Sequence, residues 1–188
     1  MVPPELLTPY TVTLAGVTRD LPRIEIAPGV VIALVNILGD TALTEAVAHA
    51  LVAKLPPETE ILITPEAKSI PLIYAMAVKS GLPYVVLRKT RKPYMNDAIS
   101  AEVVTITTGK PQLLWMDGND IELVRGRNVV FVDDVISTGS TLRGAETLIN
   151  KAGGKLIASA AIMVEGDNPE WDAVLTLGRL PVWFAEQD

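Results

Sequence analysis

A stretch near position 130 constrains this chain more than any other part of its sequence. Four apolar residues, Val129–Val132, predict a buried strand, and two adjacent carboxylates, Asp133 and Asp134, follow directly. A short loop then leads into a segment with helical spacing, and its residues are Ser137, Thr138, Gly139, Ser140 and Thr141. Ligands of open α/β sheets bind at the carboxyl ends of the strands, so we expect the acids and the loop to face one ligand.

The acids and the loop suit different parts of such a ligand. Hydroxyl groups, a glycine and the first backbone amides of a helix form a concave anion site. Carboxylates accept hydrogen bonds from sugar hydroxyls. A ribose whose hydroxyls meet Asp133 and Asp134, and whose 5-phosphate lies in the loop, satisfies both. We expect the two carboxylates to be unpaired at the strand end and to contribute little to stability.

Three other interpretations apply to an acidic pair after an apolar strand. Nucleotide triphosphatases carry such pairs, but the chain has no G-x-x-x-x-G-K-[ST] sequence. A receiver domain would place its acidic pair after the first strand rather than at position 133. The third interpretation, two solvated acids beside a helix N-cap, is the default for an isolated pair and accounts poorly for the whole of residues 129–141.

The rest of the chain alternates between predicted strands and helices. Asp40 is suited to cap the first helix and Gly81 to end the second. The strand-like runs are 30–35, 60–64, 84–87, 128–132 and 156–164, and the helical runs are the segment after Asp40, 70–80 and 141–152. This alternation predicts an α/β fold with a mostly parallel sheet flanked by helices.

Two regions depart from the alternation. Residues 95–116 read as a β-hairpin with few packing partners, and we expect a mobile flap there. Residues 1–29 and 168–188 hold short strand-like pieces, and we expect them to form a small hood over a core of residues 30–167. Two of those pieces are residues 173–177 and 181–184. The expected organisation is a single domain spanning 1–188.

Composition excludes several classes of function. The formal net charge of −6 opposes nonspecific binding of nucleic acid. There is no cysteine and only one histidine, His49, so thiolate zinc sites and multi-histidine metal centres are excluded, and we interpret His49 as a structural or surface residue. No apolar run is long enough to span a membrane, and the first residues lack signal-peptide features, so we expect a cytoplasmic protein with no membrane partner.

Residues 129–141 resemble the phosphoribosyl pyrophosphate signature of type I phosphoribosyltransferases. The resemblance covers roughly residues 20–165 and is closest to the adenine phosphoribosyltransferase-like branch. It implies transfer of a 5-phosphoribosyl group from phosphoribosyl pyrophosphate to a nitrogen base, with release of pyrophosphate. It also implies that Asp133 and Asp134 hold the ribose hydroxyls, and that the loop holds the 5-phosphate.

The resemblance implies a pyrophosphate-binding loop as well. Adenine-type enzymes commonly carry Glu-Ala-Arg-Gly here, whereas this chain has Glu66, Ala67, Lys68 and Ser69. Lysine keeps the charge of arginine without its bidentate fork, and the loss of glycine matters if the backbone there is unusual. Arg88 and Lys89 match an Arg-Lys pair that also meets pyrophosphate. Mg²⁺ is expected to be held mainly by substrate oxygens and water near Asp133, with no direct protein ligand.

The flap departs from the adenine-type pattern. Glu-Tyr-Gly is common near its tip, with the glutamate proposed to handle the purine proton, but this chain has Thr107-Thr108-Gly109. Glu102 lies on the same hairpin in a different register. The general base therefore stays unassigned. Trp183 and Phe184 are candidates for base contacts because the hood supplies such contacts in similar enzymes, although core packing is the commoner role of an aromatic residue.

We expect a purine substrate, with adenine ahead of hypoxanthine or guanine, as in purine salvage. The alternatives are a hypoxanthine/guanine phosphoribosyltransferase and a non-catalytic regulatory protein that binds phosphoribosyl pyrophosphate or a nucleotide. The resemblance further implies a homodimer, in which the 84–91 region and the helix from Ile70 pack across a two-fold axis. A DNA-binding regulator would need a basic extension that this chain lacks.

Overall fold

The computed structural model describes residues 2–103 and 112–185. Four α-helices lie within this part of the chain: α1 Thr41–Val52, α2 Ile70–Ser80, α3 Gly118–Val124 and α4 Ser140–Lys151. Two short 3-10 helices span Pro4–Leu7 and Pro169–Ala173. None of the helices described is long and apolar enough to cross a membrane.

Thirteen strands complete the described structure. The first six are β1 Tyr10–Leu14, β2 Val17–Leu21, β3 Arg23–Ala27, β4 Val30–Ala33, β5 Ile61–Pro65 and β6 Tyr84–Leu87. The others are β7 Ile99–Val103, β8 Gln112–Met116, β9 Asn128–Ile136, β10 Lys155–Glu165, β11 Leu175–Thr176, β12 Arg179–Leu180 and β13 Val182–Phe184.

A parallel sheet forms the centre of the molecule and confirms the predicted fold class. Its order is β11-β10-β9-β5-β6, and β12 also pairs with β10. Successive residues of β9 point to opposite faces, as the pleat requires. Val130 and Val132 pack with α1 and α2, whereas Val129 and Phe131 pack with α4. Helices therefore cover both faces, and β9 is buried almost throughout.

The predicted helix ends are confirmed. The Asp40 side chain accepts a hydrogen bond from the backbone N–H of Leu43 at 3.1 Å, and its other oxygen pairs with Arg19 of β2 at 2.6 Å. Gly81 ends α2 with φ +73, in the left-handed region that glycine adopts without steric cost. Both helices that flank one side of the sheet thus begin or end where the sequence indicates.

Two strand assignments were wrong. Residues 30–35 do not start the parallel sheet, because β4 pairs antiparallel with β3 and β13 in a separate three-stranded sheet. The cause is the turn at Gly29, φ +75, which folds β4 back on β3. Residues 173–177 do not join the chain ends in a second lobe, because β11 adds to the edge of the main sheet beside β10. The predicted piece at 181–184 forms β13, which pairs with β4 and through it shares a sheet with the N-terminal strand β3.

The predicted hairpin exists as β7 and β8, and its tip, residues 104–111, lies outside the described residues. The expectation of few packing partners is wrong for the stem, where Ala101, Val103, Leu114 and Met116 are at most 4% exposed. These side chains pack beside α4 in one of the two apolar clusters. Helix α3, which follows the hairpin, was not predicted, although the Asp117 cap preceding it was a readable signal.

Gly144 sets the distance between α4 and the hairpin stem. A Cβ at this position would lie 2.6 Å from Cγ2 of Val103, a buried and β-branched side chain that cannot move aside easily. We expect Gly144→Ala to destabilise the protein by about 1–2 kcal/mol, because overpacking outweighs the gain in helix propensity. Chemical denaturation measures this change.

Val103→Ala provides the control. Combined with Gly144→Ala, it removes the methyl group in the way, so the double variant should lose less stability than the sum of the two single variants. Strict additivity would show that the two residues do not meet.

Candidate functional site

The acidic pair lies within the last residues of β9, beside the end of β5. A buried side chain fixes it there: the Thr64 hydroxyl donates a 2.7 Å hydrogen bond across to the carbonyl of Val132, the residue before the pair. Asp133 and Asp134 are 8% and 7% exposed. The expectation that these carboxylates are unpaired is wrong, since each has partners from the loop that follows β5.

Ser69 connects the two carboxylates. It is 1% exposed, and its hydroxyl donates to Oδ1 of Asp133 at 2.7 Å and lies 3.3 Å from Oδ1 of Asp134. The backbone N–H of Asp134 donates both to the Ser69 hydroxyl, at 2.9 Å, and to Oδ1 of Asp133, at 2.9 Å. Ser69 has φ −84, an ordinary helical value, so replacing the glycine common in adenine-type enzymes causes no backbone conflict.

Burial raises the pKa of Asp133 to about 8, and the adjacent negative charge of Asp134 adds to the rise. The hydrogen bond from Ser69 acts in the opposite direction because it favours the charged form. Burial, together with the like charge on the next residue, accounts for an acid that holds its proton near neutral pH.

Two of the predicted cations are already in ion pairs, Lys68 with an acid of the pair and Arg88 with Glu66. Lys68 Nζ lies 2.9 Å from Oδ2 of Asp134, with its side chain about half exposed. Glu66 points away from the acids towards Arg88, at 3.2 Å, and also accepts a 2.6 Å hydrogen bond from the backbone N–H of Lys89. Glu66 thus links the loop after β5 to the residues after β6. The peptide bond between Glu66 and Ala67 is cis.

The hydroxyl-rich loop encloses a small pocket with Asp133 on one wall. Its lining residues are Asp133, Val135, Ile136, Ser137, Thr138, Gly139, Ser140, Thr141 and Leu142. Gly139 has φ +71 and lies against the Trp171 ring, so a side chain here would be strained and would clash. The Thr138 and Ser140 hydroxyls are 2.9 Å apart. Asp133 and the loop therefore share one cavity, as the sequence predicted.

Residues that sequence reasoning missed support this loop from outside. Glu165, at the end of β10 and 9% exposed, accepts a 2.6 Å hydrogen bond from Ser137, so that hydroxyl is directed at Glu165. Arg143 donates to the carbonyl of Thr138 at 2.5 Å. The sequence did contain a signal for Glu165. Like Asp133, it is an acid that ends an apolar strand at the ligand edge of the sheet.

The remaining candidates lie apart from these contacts. Trp183 packs in the hood, with the Arg23 guanidinium 4.1 Å from its ring centroid and the Tyr10 ring edge-on at 5.2 Å. Phe184 is 71% exposed. His49 is exposed on the last turn of α1, as expected for a surface residue. Thr107 lies outside the described residues.

A strand-end carboxylate pair beside a hydroxyl-lined loop has the chemistry to bind a sugar phosphate. The sequence model of the phosphoribosyl transferase domain matches residues 41–174, most of the chain. This chain belongs to the phosphoribosyltransferase family.

Curated relatives match part of their own length. Orotate phosphoribosyltransferase of Methanopyrus kandleri is 33% identical over 66% of this chain and 54% of its own. Hypoxanthine/guanine phosphoribosyltransferase of Methanosarcina acetivorans is 34% identical over 55% of this chain and 51% of its own. The purine biosynthesis repressor PurR of Bacillus subtilis is 25% identical over 82% and 56%. The chain thus spans about half the length of the relatives that it matches.

Solved structures agree on the fold. Adenine phosphoribosyltransferase of Thermoanaerobacter pseudethanolicus superposes with a TM-score of 0.66 at 18% identity, over 94% of this chain and 98% of its own. The Trypanosoma brucei enzyme, in complex with AMP, pyrophosphate and ribose-5-phosphate, gives 0.62 at 20% identity, over 76% and 67%. The chain has the fold of adenine phosphoribosyltransferases.

Titration of Asp133 predicts how stability depends on pH. In the unfolded chain this acid has a pKa near 4 (about 3.9 in peptides), whereas in the folded chain its pKa is about 8. The folded protein therefore holds a proton that the unfolded protein releases. The stability that this difference in proton binding contributes is lost as pH rises through 8. We expect the melting temperature without ligand to fall between about pH 5 and pH 8.5.

Asp133→Asn isolates this effect, because asparagine has nearly the same shape and does not titrate. The melting temperature of the variant, measured by calorimetry in matched buffers, should depend less steeply on pH than that of the wild type. Parallel curves would contradict a raised pKa at this residue.

Proposed function

We propose that this chain transfers a 5-phosphoribosyl group from phosphoribosyl pyrophosphate to a purine base, giving a nucleoside monophosphate and pyrophosphate. The observation that carries the proposal is the shared cavity, in which the loop that begins α4 lies beside Asp133. The 5-phosphate would accept hydrogen bonds from the loop, and the ribose hydroxyls would donate to Asp133 and Asp134. Both ends of the sugar are then fixed before the reaction.

Positioning and charge would supply the catalysis. The bond from the sugar C1 to the pyrophosphate oxygen breaks, and that oxygen keeps the electron pair. A ring nitrogen of the base bonds to C1, and the base releases its ring N–H proton to water or to the departing pyrophosphate. Positive charge develops on the sugar as this happens, and fixed neighbouring groups stabilise it without reorganising. Lys68, Arg88 and Lys89 would neutralise the departing pyrophosphate. Lys68 is half exposed and can turn from Asp134 towards it.

Mg²⁺ fits this site as an ion held mainly by substrate. No cluster of three or more His, Cys, Asp or Glu side chains that could hold a metal occurs in residues 2–103 and 112–185. Mg²⁺ typically binds one or two carboxylates together with substrate phosphates and keeps several waters. Asp133 lines the cavity, so the ion on the substrate would lie near this residue. When bound, the ion would neutralise charge on the pyrophosphate oxygens.

The choice among purines rests on different kinds of support. The adenine phosphoribosyltransferases share the fold of this chain, but at 18–20% identity they do not indicate its base. One sequence relative, at 34% identity, acts by name on hypoxanthine and guanine. Adenine as the preferred base stays our prediction, and a 6-oxopurine is the named alternative.

A regulatory protein that binds phosphoribosyl pyrophosphate or a nucleotide is the second candidate. The observation that favours it is the repressor PurR, which aligns with 82% of this chain. A protein of this type would keep the sugar-phosphate site and not catalyse transfer.

Pyrophosphate release from phosphoribosyl pyrophosphate and Mg²⁺, measured against a panel of adenine, hypoxanthine, guanine, orotate and uracil, tests these proposals. We expect a purine to react with a clear preference, since a site built around one hydrogen-bond pattern discriminates by roughly 10⁴–10⁵ in kcat/KM.

Asp133→Asn combined with Asp134→Asn should abolish donor binding in calorimetry. A pyrimidine that outruns every purine contradicts the purine assignment, and donor binding without turnover of any base supports the regulatory candidate.

We also propose a homodimer formed through α2 and the 84–91 region. An apolar patch on α2 supports it, because Tyr74 and Val78, one helical turn apart, are 59% and 66% exposed. Val78→Glu should weaken the dimer at least about thirtyfold in light scattering, since a charge would be buried at its centre. Phe184→Glu, at an equally exposed hood residue, is the control and should leave the dimer intact. A monomeric wild type would contradict the proposal.

A further inference from the structure

The loop after β5 was expected to bind pyrophosphate through all four of its residues, but the Ser69 side chain is turned away from solvent. It is 1% exposed, and the polar groups within its reach are the two acidic residues and the backbone N–H between them. A side chain in this position has no surface to offer to a pyrophosphate. Its hydrogen bonds all lead to the groups proposed to hold the sugar.

Consecutive residues of a strand normally point to opposite faces of the sheet. Asp133 and Asp134 are consecutive residues of β9, yet Oδ1 of each lies within 3.3 Å of the same hydroxyl. The ribose of the donor carries two hydroxyls on adjacent carbons and on one face of the ring. The two carboxylates that accept from these ribose hydroxyls must therefore lie on the same side. In a regular strand, consecutive side chains would point to opposite sides.

We infer that Ser69 is a positioning residue, whose hydroxyl holds Asp133 and Asp134 in the convergent arrangement that accepts the two ribose hydroxyls. This inference rests on the proposed function. It assigns Ser69 to the sugar half of the donor and leaves Lys68 to the pyrophosphate half, although the two residues are adjacent. The shorter bond, 2.7 Å to Asp133, uses the hydroxyl proton, while the hydroxyl oxygen accepts from the backbone N–H of Asp134.

The two halves of the donor can be tested separately. Ser69→Ala removes the hydroxyl without adding bulk, and we expect it to weaken binding of ribose 5-phosphate roughly tenfold, the effect of one hydrogen bond to a charged group. Binding of Mg²⁺-pyrophosphate should change less than twofold. In turnover, kcat should fall while KM for the base changes less, because the sugar is held less well at the moment of transfer. Isothermal titration calorimetry and steady-state kinetics supply these values.

Two further variants separate positioning from structural support. Ser80→Ala is the matched control: its hydroxyl donates to the carbonyl of Met76 in the same helix, so the variant loses a serine hydrogen bond without touching the acids. It should bind both ligands like the wild type. Ser69→Thr keeps the hydroxyl and should retain most of the affinity for ribose 5-phosphate.

Each outcome bears on the inference. If Ser69→Ala binds ribose 5-phosphate as tightly as the wild type does, or loses affinity for both ligands equally, Ser69 does not position the sugar acids. If it loses affinity for pyrophosphate alone, the residue is a pyrophosphate ligand and the inference is overturned. A wild-type protein that fails to bind ribose 5-phosphate at all contradicts the proposed function itself, which distinguishes the two failures.

Discussion

The burial of two adjacent carboxylates at the end of β9 is the constraint on which the rest of the site depends. Charged groups taken out of water need partners, and an unpaired pair of like charges would destabilise the fold. Asp133 and Asp134 receive a hydroxyl, a backbone N–H and an ammonium group from Ser69, Asp134 and Lys68. The raised pKa of Asp133 shows that this compensation is incomplete. Hydroxyls of a bound sugar would donate the further hydrogen bonds that these buried carboxylates lack.

The parallel sheet brings these partners together. Strands β5, β6 and β9 are neighbours that run in the same direction, so the segments after them meet at one edge although they are far apart in sequence. Glu66 then joins the first two segments through Arg88 and Lys89, while Thr64 joins β5 to β9. On the far side of β9, β10 delivers Glu165 to the Ser137 hydroxyl. Each wall of the site comes from the end of a different strand.

The loop after β5 differs from the adenine-type loop at Lys68 and Ser69, and the structure shows what these two residues contact. Lysine in place of arginine still reaches a carboxylate, as its 2.9 Å contact with Asp134 shows. Serine in place of glycine adopts an ordinary backbone conformation and adds a hydroxyl within hydrogen-bond distance of both acids. In this chain both residues therefore contact the acids.

Local patterns determined much of this protein. The string at 129–141 identified the acids and the anion loop, and the caps at Asp40 and Gly81 marked helix ends, because short-range sterics and hydrogen bonds decide such features. Strand partners are decided by contacts between distant residues, so the sequence misplaced residues 30–35 and 173–177. Only the tertiary structure could turn the Ser69 side chain onto the acids and aim Ser137 at Glu165, since these contacts span 64 and 28 residues of chain.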